Sequence, residues 1–336
     1  MKELTCREKI HIVISINGCI SRKAIKILSG SEGYKRKVIF ELRQKNLIER
    51  KKGGLIRMTR DGVVNTWRDH IPEQYVKMAE NTRATCIKAT GAEERRMMYQ
   101  SEVLAMVLES GAGLWEKEGM PPKGEIAYVR AKNLKKGYTG DRQAINQCRV
   151  QGTLFGAGDR VLNVYAMGGG TLKWIHDSET RYKVWTENEN LRRIGKMKES
   201  EGVLVIEEVG NLKRFMGEKN QRGGPIQAGD VYKHMYVLPK DETGTFLLGI
   251  LALGRGKKET EGLAKEKGGA NFLLPDLTEL RKIKLSGVKQ VCCLEEMGEG
   301  VRSVVPDAKI IEVSREELVD SIFSDTKLTG SEGTDV

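Results

Sequence analysis

The sequence predicts an α/β (α+β) chain made of a small N-terminal helix-and-hairpin module and a larger mixed α/β region. Two patterns carry that prediction. Residues 5–62 pass from three capped, helically periodic segments into two short apolar runs separated by paired glycines. From Glu125 onward, β-rich runs alternate with amphipathic helical ones, as in a mixed sheet flanked by helices. A third observation sets the partner class. The chain carries +11 overall, and residues 1–70 hold 17 Lys and Arg against 7 Asp and Glu, a net of +10. Residues 71–336 hold 40 against 39. Charge concentrated in this way points to a polyanion partner for the first fifth of the chain.

In the module, Thr5 and Glu8 have the spacing of a capping box, in which each side chain satisfies the other's free amide. Ile10, Val13 and Ile14 follow at helical spacing, and Asn17-Gly18 stops the helix. Ser21 caps a short second helix with Ala24, Ile25 and Leu28, ended by Ser29-Gly30. A third helix runs from Ser31 to Gln44. At about 100° per residue, Val38, Ile39 and Leu42 face inward, leaving Arg36, Lys37, Phe40, Arg43 and Gln44 outward. Leu47–Arg50 and Leu55–Met58 then read as strands around Lys51-Lys52-Gly53-Gly54, whose glycines suit a tight hairpin.

This is the outline of a winged helix-turn-helix over residues 1–70, with double-stranded DNA as the expected partner. Arg and Lys suit phosphates and guanine edges, and Gln suits adenine. The expected contact set is Arg36, Lys37, Arg43, Gln44, Lys51, Lys52 and Arg57. Phe40 fits less simply: it packs on another part of the chain or touches a thymine methyl. One such module reads few base pairs, so a homodimer is expected. The alternatives are a solubilising basic face and a winged helix used for protein contacts.

Residues 71–110 read as a helical connector, with a break near Thr90-Gly91 and a strong helix over 93–109 carrying Met97, Met98, Val103, Leu104, Val107 and Leu108. The domain boundary falls between 66 and 92. In the mixed region, 111–324, strands are expected at 125–130, in a second run that 144–155 leads into, and at 160–166, 171–175, 203–207, 232–238, 270–274 and 289–294. Helices are expected at 177–194, 243–253, 278–284 and 315–323. Gly254-Arg255-Gly256-Lys257-Lys258 reads as a solvated helix C-terminus, and 325–336 as a disordered tail.

Catalytic patterns are sparse. Six cysteines are scattered without a CxxC, as in small buried hydrophobes, and four distant histidines give no zinc-site spacing, so no metal or cofactor is expected. Gly168-Gly169-Gly170-Thr171 lacks the Lys of a phosphate loop. Tyr99 and Tyr138 could serve as nucleophiles, but no HxH pair accompanies them. The best acidic strand end, Val203–Val209 with Glu207 and Glu208, lacks the Lys of a Glu-x-Lys nuclease motif. An enzyme is therefore the less favoured reading. No apolar run reaches the roughly 18–20 residues of a membrane span, and the N-terminus lacks a secretory apolar core, which places the protein in the cytoplasm.

Leu47–Arg50, the glycine turn and Met58-Thr59-Arg60-Asp61-Gly62 resemble the closing segment of many bacterial winged-helix domains. A wider set adds to this: Glu102, Tyr128–Leu134, Cys148–Leu154, Val164-Tyr165, Leu172-Lys173-Trp174 and Glu179. With the N-terminal module, the order resembles the replication-relaxation-type proteins of plasmids and integrative conjugative elements of low-GC Gram-positive bacteria, over roughly residues 1–190. The resemblance implies a DNA-binding protein of a mobile genetic element, acting in replication, transfer or their regulation beside other proteins of the element. It also implies a second domain with some likeness to restriction-endonuclease-like folds, without a clear active site.

Overall fold

The computed structural model describes residues 4–50, 55–59, 71–80, 91–115, 120–167, 175–215 and 231–323. The chain is mixed α/β, with three separate sheets among the described residues. No helix among the described residues is long and apolar enough to cross a membrane.

The first helix, α1 (Cys6–Asn17), starts at the expected capping box: the Glu8 amide donates to Thr5 Oγ1, and Glu8 accepts from the Thr5 amide. Gly18 ends it in the left-handed region at φ 80°, which a side chain would disfavour. Strand β1 (Cys19–Ile20) follows, then α2 (Arg22–Ile27) capped by Ser21 and α3 (Glu32–Gln44) capped by Ser31. Strands β2 (Ile48–Arg50) and β3 (Ile56–Met58) pair antiparallel, and β3 also pairs antiparallel with β1, giving the order β1-β3-β2. Residues 51–54 lie outside the described set.

Helix α1 is buried from Lys9 to Asn17, beyond the single stripe expected of a surface helix. The extra cover comes from α4 (Glu73–Glu80) and α5 (Ala92–Glu109), both packed on it. In α5, Val103 to Val107 are all fully buried, because α1 and α2 cover one side while later elements cover the other. Met106 is core filler, and Met97 and Met98 are half-buried. The expected connector is thus, over α5, a core helix shared by both regions.

The central sheet has the order β4-β5-β6-β7-β8-β9, from Gly113–Trp115, Ala127–Arg130, Val150–Phe155, Val161–Ala166, Glu201–Ile206 and Met235–Pro239. Strands β5, β6 and β7 form an antiparallel meander, whereas β4 runs parallel to β5, and β7, β8 and β9 are mutually parallel. Two short helices, α6 (Ala131–Leu134) and α7 (Arg142–Asn146), lie between β5 and β6. The long α8 (His176–Ile194) joins β7 to β8, and α9 (Leu212–Phe215) follows β8.

After β9, α10 (Glu242–Ala252) packs back on α5 and β9. Gly244 sits where any Cβ would fall 1.8 Å from the Pro239 carbonyl oxygen, so only glycine allows this tight strand-to-helix turn. Then come α11 (Lys257–Glu266), β10 (Ala270–Asn271), α12 (Leu277–Ser286), β11 (Gln290–Leu294), α13 (Gly298–Val304), β12 (Lys309–Val313) and α14 (Arg315–Phe323). Strands β10, β11 and β12 form a third, parallel sheet.

Two expectations need refining. The basic segment 254–258 ends one helix, as expected, and also starts the next. Gly254, at φ 66°, closes α10 with its amide donating to the Leu251 carbonyl and the Arg255 amide donating to the Ile250 carbonyl. Gly256, at φ 98°, donates its amide to Glu259 Oε2, 3.1 Å away, and caps α11. Only Ala270 and Asn271 of the expected strand 270–274 are strand. The glycine-rich 168–170, most of the expected strand 171–175, nearly all of the boundary region 66–92 except 71–80, and the tail 325–336 lie outside the described residues. Cys19, Cys148, Cys292 and Cys293 are buried and unbridged, consistent with their reading as small hydrophobes.

Candidate nucleic-acid interface

Helix α3 is held by Val38 and Leu42, both in the core, and by Lys35, whose Nζ donates to the Lys26 carbonyl at 3.2 Å. Ile39, expected inward, is only half-buried. The opposite face presents Arg36, Lys37, Phe40, Arg43 and Gln44, all exposed. The structure therefore brings four of the expected contact residues onto one face. Arg36, Lys37 and Arg43 have no carboxylate partner among the described residues.

Along the flank of this face lies a groove of about 610 Å³. Ile25, Ile39, Ile48 and Ile56 form its apolar floor. Arg22 and Lys26 of α2, Lys35, Arg36 and Arg43 of α3, and Arg50 of β2 supply its cations, against the acids Glu32 and Glu49. Arg22, Lys26 and Arg50 were not anticipated as part of this surface. Arg22 and Lys26 join it because β1 pairs with β3, Ile20 opposite Ile56, which sets the start of α2 beside the β2–β3 pair, where Arg50 stands on the other side of Ile56. No local sequence signal reports that pairing.

Arg57 stands apart from the other expected contacts. It is half-buried in β3, and its Nη1 donates to Glu94 Oε1 of α5 at 3.2 Å. Lys51 and Lys52 lie outside the described residues.

The module's inner side is fastened to the rest of the chain by polar contacts. Lys9 pairs with Glu109 at 3.0 Å, and Lys23 pairs with Glu207 just beyond β8. Asn17 donates to the Met97 carbonyl at 2.7 Å, and buried Arg130 donates to the Ile16 carbonyl at 2.7 Å, neutralising the C-terminal end of α1. At the centre, Ser21 Oγ donates to Glu102 Oε1 at 3.0 Å, while Glu102 Oε2 lies 2.7 Å from Lys240 Nζ. Both members of that ion pair are almost fully buried, and the ammonium stands 4.2 Å from the centre of the Tyr99 ring. Burial lowers the Lys240 pKa, with Glu102 opposing that shift. Glu207, the best acidic strand end in the sequence, is thus committed to Lys23.

A second buried polar network lies between the sheet and α8. Glu179 accepts from the Arg149 amide at 2.7 Å and from Tyr165 Oη at 3.0 Å. Tyr165 meets Tyr232 at 2.8 Å, and Asn163 donates to Tyr232 at 3.1 Å and accepts from Thr153 at 2.7 Å. Burial pushes the Glu179 carboxyl up to about 7, against the Arg149 amide and Tyr165 hydroxyl that favour its charged form.

Among the described residues, His234, Asp276 and Glu279 come close enough to share a cation. Each is already engaged. Asp276 caps α12 through the Thr278 amide and accepts from the Met235 amide and His234 Nδ1, while Glu279 pairs with Lys282. The ordinary N-cap accounts for this cluster.

The motif residues behind the family resemblance, Glu102, Arg130, Arg149, Tyr165 and Glu179, are all buried or half-buried and hydrogen-bonded within the chain. They are scaffold, not surface. No protein-family model matches the chain, and comparison with curated proteins and with solved structures finds no match.

Proposed function

We propose that this chain binds double-stranded DNA through a winged helix-turn-helix formed by residues 5–59, with α3 entering the major groove. One observation carries the reading: Arg36, Lys37 and Arg43 share an exposed face of α3, with no carboxylate partner among the described residues, flanked by Arg22, Lys26 and Arg50. The chain order helix, strand, helix, helix, strand, strand, with the hairpin packed beside α3, supports it. Arg36 and Arg43 are suited to guanine edges, Gln44 to adenine, and Lys37 and Arg50 to phosphates. Arg57 is better placed as a fastener to α5 than as a DNA contact. A homodimer on a two-fold site, and a role in the replication, transfer or regulation of a mobile genetic element, complete the proposal.

A nuclease is the second reading, favoured by one feature. Helix α5, the β5-β6-β7 meander, α8 and parallel β8 follow in the order expected of a restriction-endonuclease-like fold. Against it, the buried polar groups on β6 and β7 are Thr153, Asn163 and Tyr165, with no carboxylate–lysine pair among them.

The test is duplex binding by the full chain, followed by fluorescence anisotropy. With roughly six phosphate contacts, affinity should fall about a thousandfold between roughly 50 and 200 mM salt. Absence of salt-sensitive binding at low ionic strength contradicts the proposal. Divalent-cation-dependent cleavage of supercoiled plasmid would favour the second reading.

A further inference from the structure

Phe40 is the large apolar side chain on the outward face of α3, and 59% of it is exposed. Isolated apolar residues are common on protein surfaces, so exposure alone carries no function. Its position does. Phe40 follows Arg36 by four residues and precedes Arg43 by three, so the ring lies between two guanidiniums that have no carboxylate partner among the described residues. The rise of a helix puts it about 6 Å along the axis from the first and about 4.5 Å from the second. Half-buried Ile39 and Ile25 continue the apolar surface from Phe40 into the groove floor.

An apolar ring set among unpaired cations suits a polyanion that also offers an apolar group. In the DNA major groove, the base edges offer one such group, the C5-methyl of thymine. Resting on the DNA-binding reading above, we propose that Phe40 is a specificity-determining residue that packs against a thymine methyl. Arg36 and Arg43 stand about 10 Å apart along the helix, roughly three base-pair rises. The thymine therefore lies within the same short stretch whose flanking positions the two arginines face.

The test uses the full chain and a duplex selected by it from a random library. Each thymine in the selected site is replaced in turn by deoxyuridine, which removes the methyl and leaves every hydrogen-bonding group. For the unaltered chain, one thymine per half-site should respond, with affinity falling about fourfold, the value of one buried methyl-sized group. Phe40→Ala should bind the thymine and deoxyuridine duplexes equally, whereas Phe40→Leu should keep part of the difference. Arg36→Ala should lose affinity for both duplexes and retain their ratio. Thermal unfolding of Phe40→Ala should match the unaltered chain, since the ring contributes little to the core.

The inference is overturned if no thymine responds, if the selected site holds no fixed thymine, or if Phe40→Ala keeps the discrimination. Each of those results leaves DNA binding itself standing. If the chain selects and binds no duplex at all, the DNA-binding reading and this inference fall together.

Discussion

The N-terminal module carries two sets of cations with opposite fates. Lys9, Lys23 and Arg57 each meet a carboxylate supplied by the rest of the chain: Glu109, Glu207 and Glu94. Arg36, Lys37, Arg43 and Arg50 are exposed and meet none among the described residues. The module's net +10 therefore overstates the charge open to a ligand, because part of it is spent on the seam with the body. Among the described residues, the unpaired cations Arg22, Lys26, Arg36, Lys37, Arg43 and Arg50 lie on α3 and its flanks. Charge that survives folding unpaired, and on one side, is the better indicator of a polyanion surface.

The seam gives the sharpest way to break this comparison. Glu102→Ala leaves Lys240 buried without its counter-ion, and loss of one partner of a buried pair costs about 3–5 kcal/mol. Denaturant midpoints should show that loss, while Glu102→Met combined with Lys240→Met should recover most of it. A negligible loss for Glu102→Ala would mean that this buried pair does not fasten α5 to the end of β9.

Within the body, Glu179 offers a pH-dependent counterpart. Its carboxyl keeps its proton up to about pH 7 in the fold, against an ordinary value of 4.5. The stability this carboxyl contributes is accordingly full below about pH 4.5, and roughly 3 kcal/mol of it is lost as pH rises from there to 7. Glu179→Gln should flatten that stretch of the stability profile, measured by urea unfolding at successive pH values. An unchanged slope would mean that the carboxyl is ionised in the fold. The smallest effect concerns the entry to the module: Thr5→Ala removes the acceptor for the Glu8 amide and should cost about 1 kcal/mol. Calorimetry would register it as a modest fall in Tm.

Local chemistry made much of the module readable. Thr5, Ser21 and Ser31 cap the helices predicted from their spacing, and Arg36, Lys37, Arg43 and Gln44 are exposed as the helical period requires. What local chemistry could not report is pairing at a distance. Strand β1 is two residues long and exists through its ladder to β3. Arg57 looks like a wing contact until Glu94, on a helix 37 residues later, claims it. Gly254–Lys258 carries the glycines and cations of a helix end and closes α10, but Gly256 and Glu259 also open α11 within the same short stretch. Strand β12, Lys309–Val313, has a weak alternation, and its place depends on the parallel ladder to β11.

The central claim, that DNA is read by the α3 face, is tested most directly by two double substitutions that remove equal charge. Arg36→Ala with Arg43→Ala strips the outward face, while Lys257→Ala with Lys258→Ala strips exposed cations from α11 of the body. Anisotropy titrations against a selected and a random duplex should show the first pair losing at least about tenfold in affinity for the selected duplex and less for the random one. The second pair should leave both unchanged. Equal effects from the two pairs would contradict the account, because binding would then follow total charge rather than the surface that α3 presents.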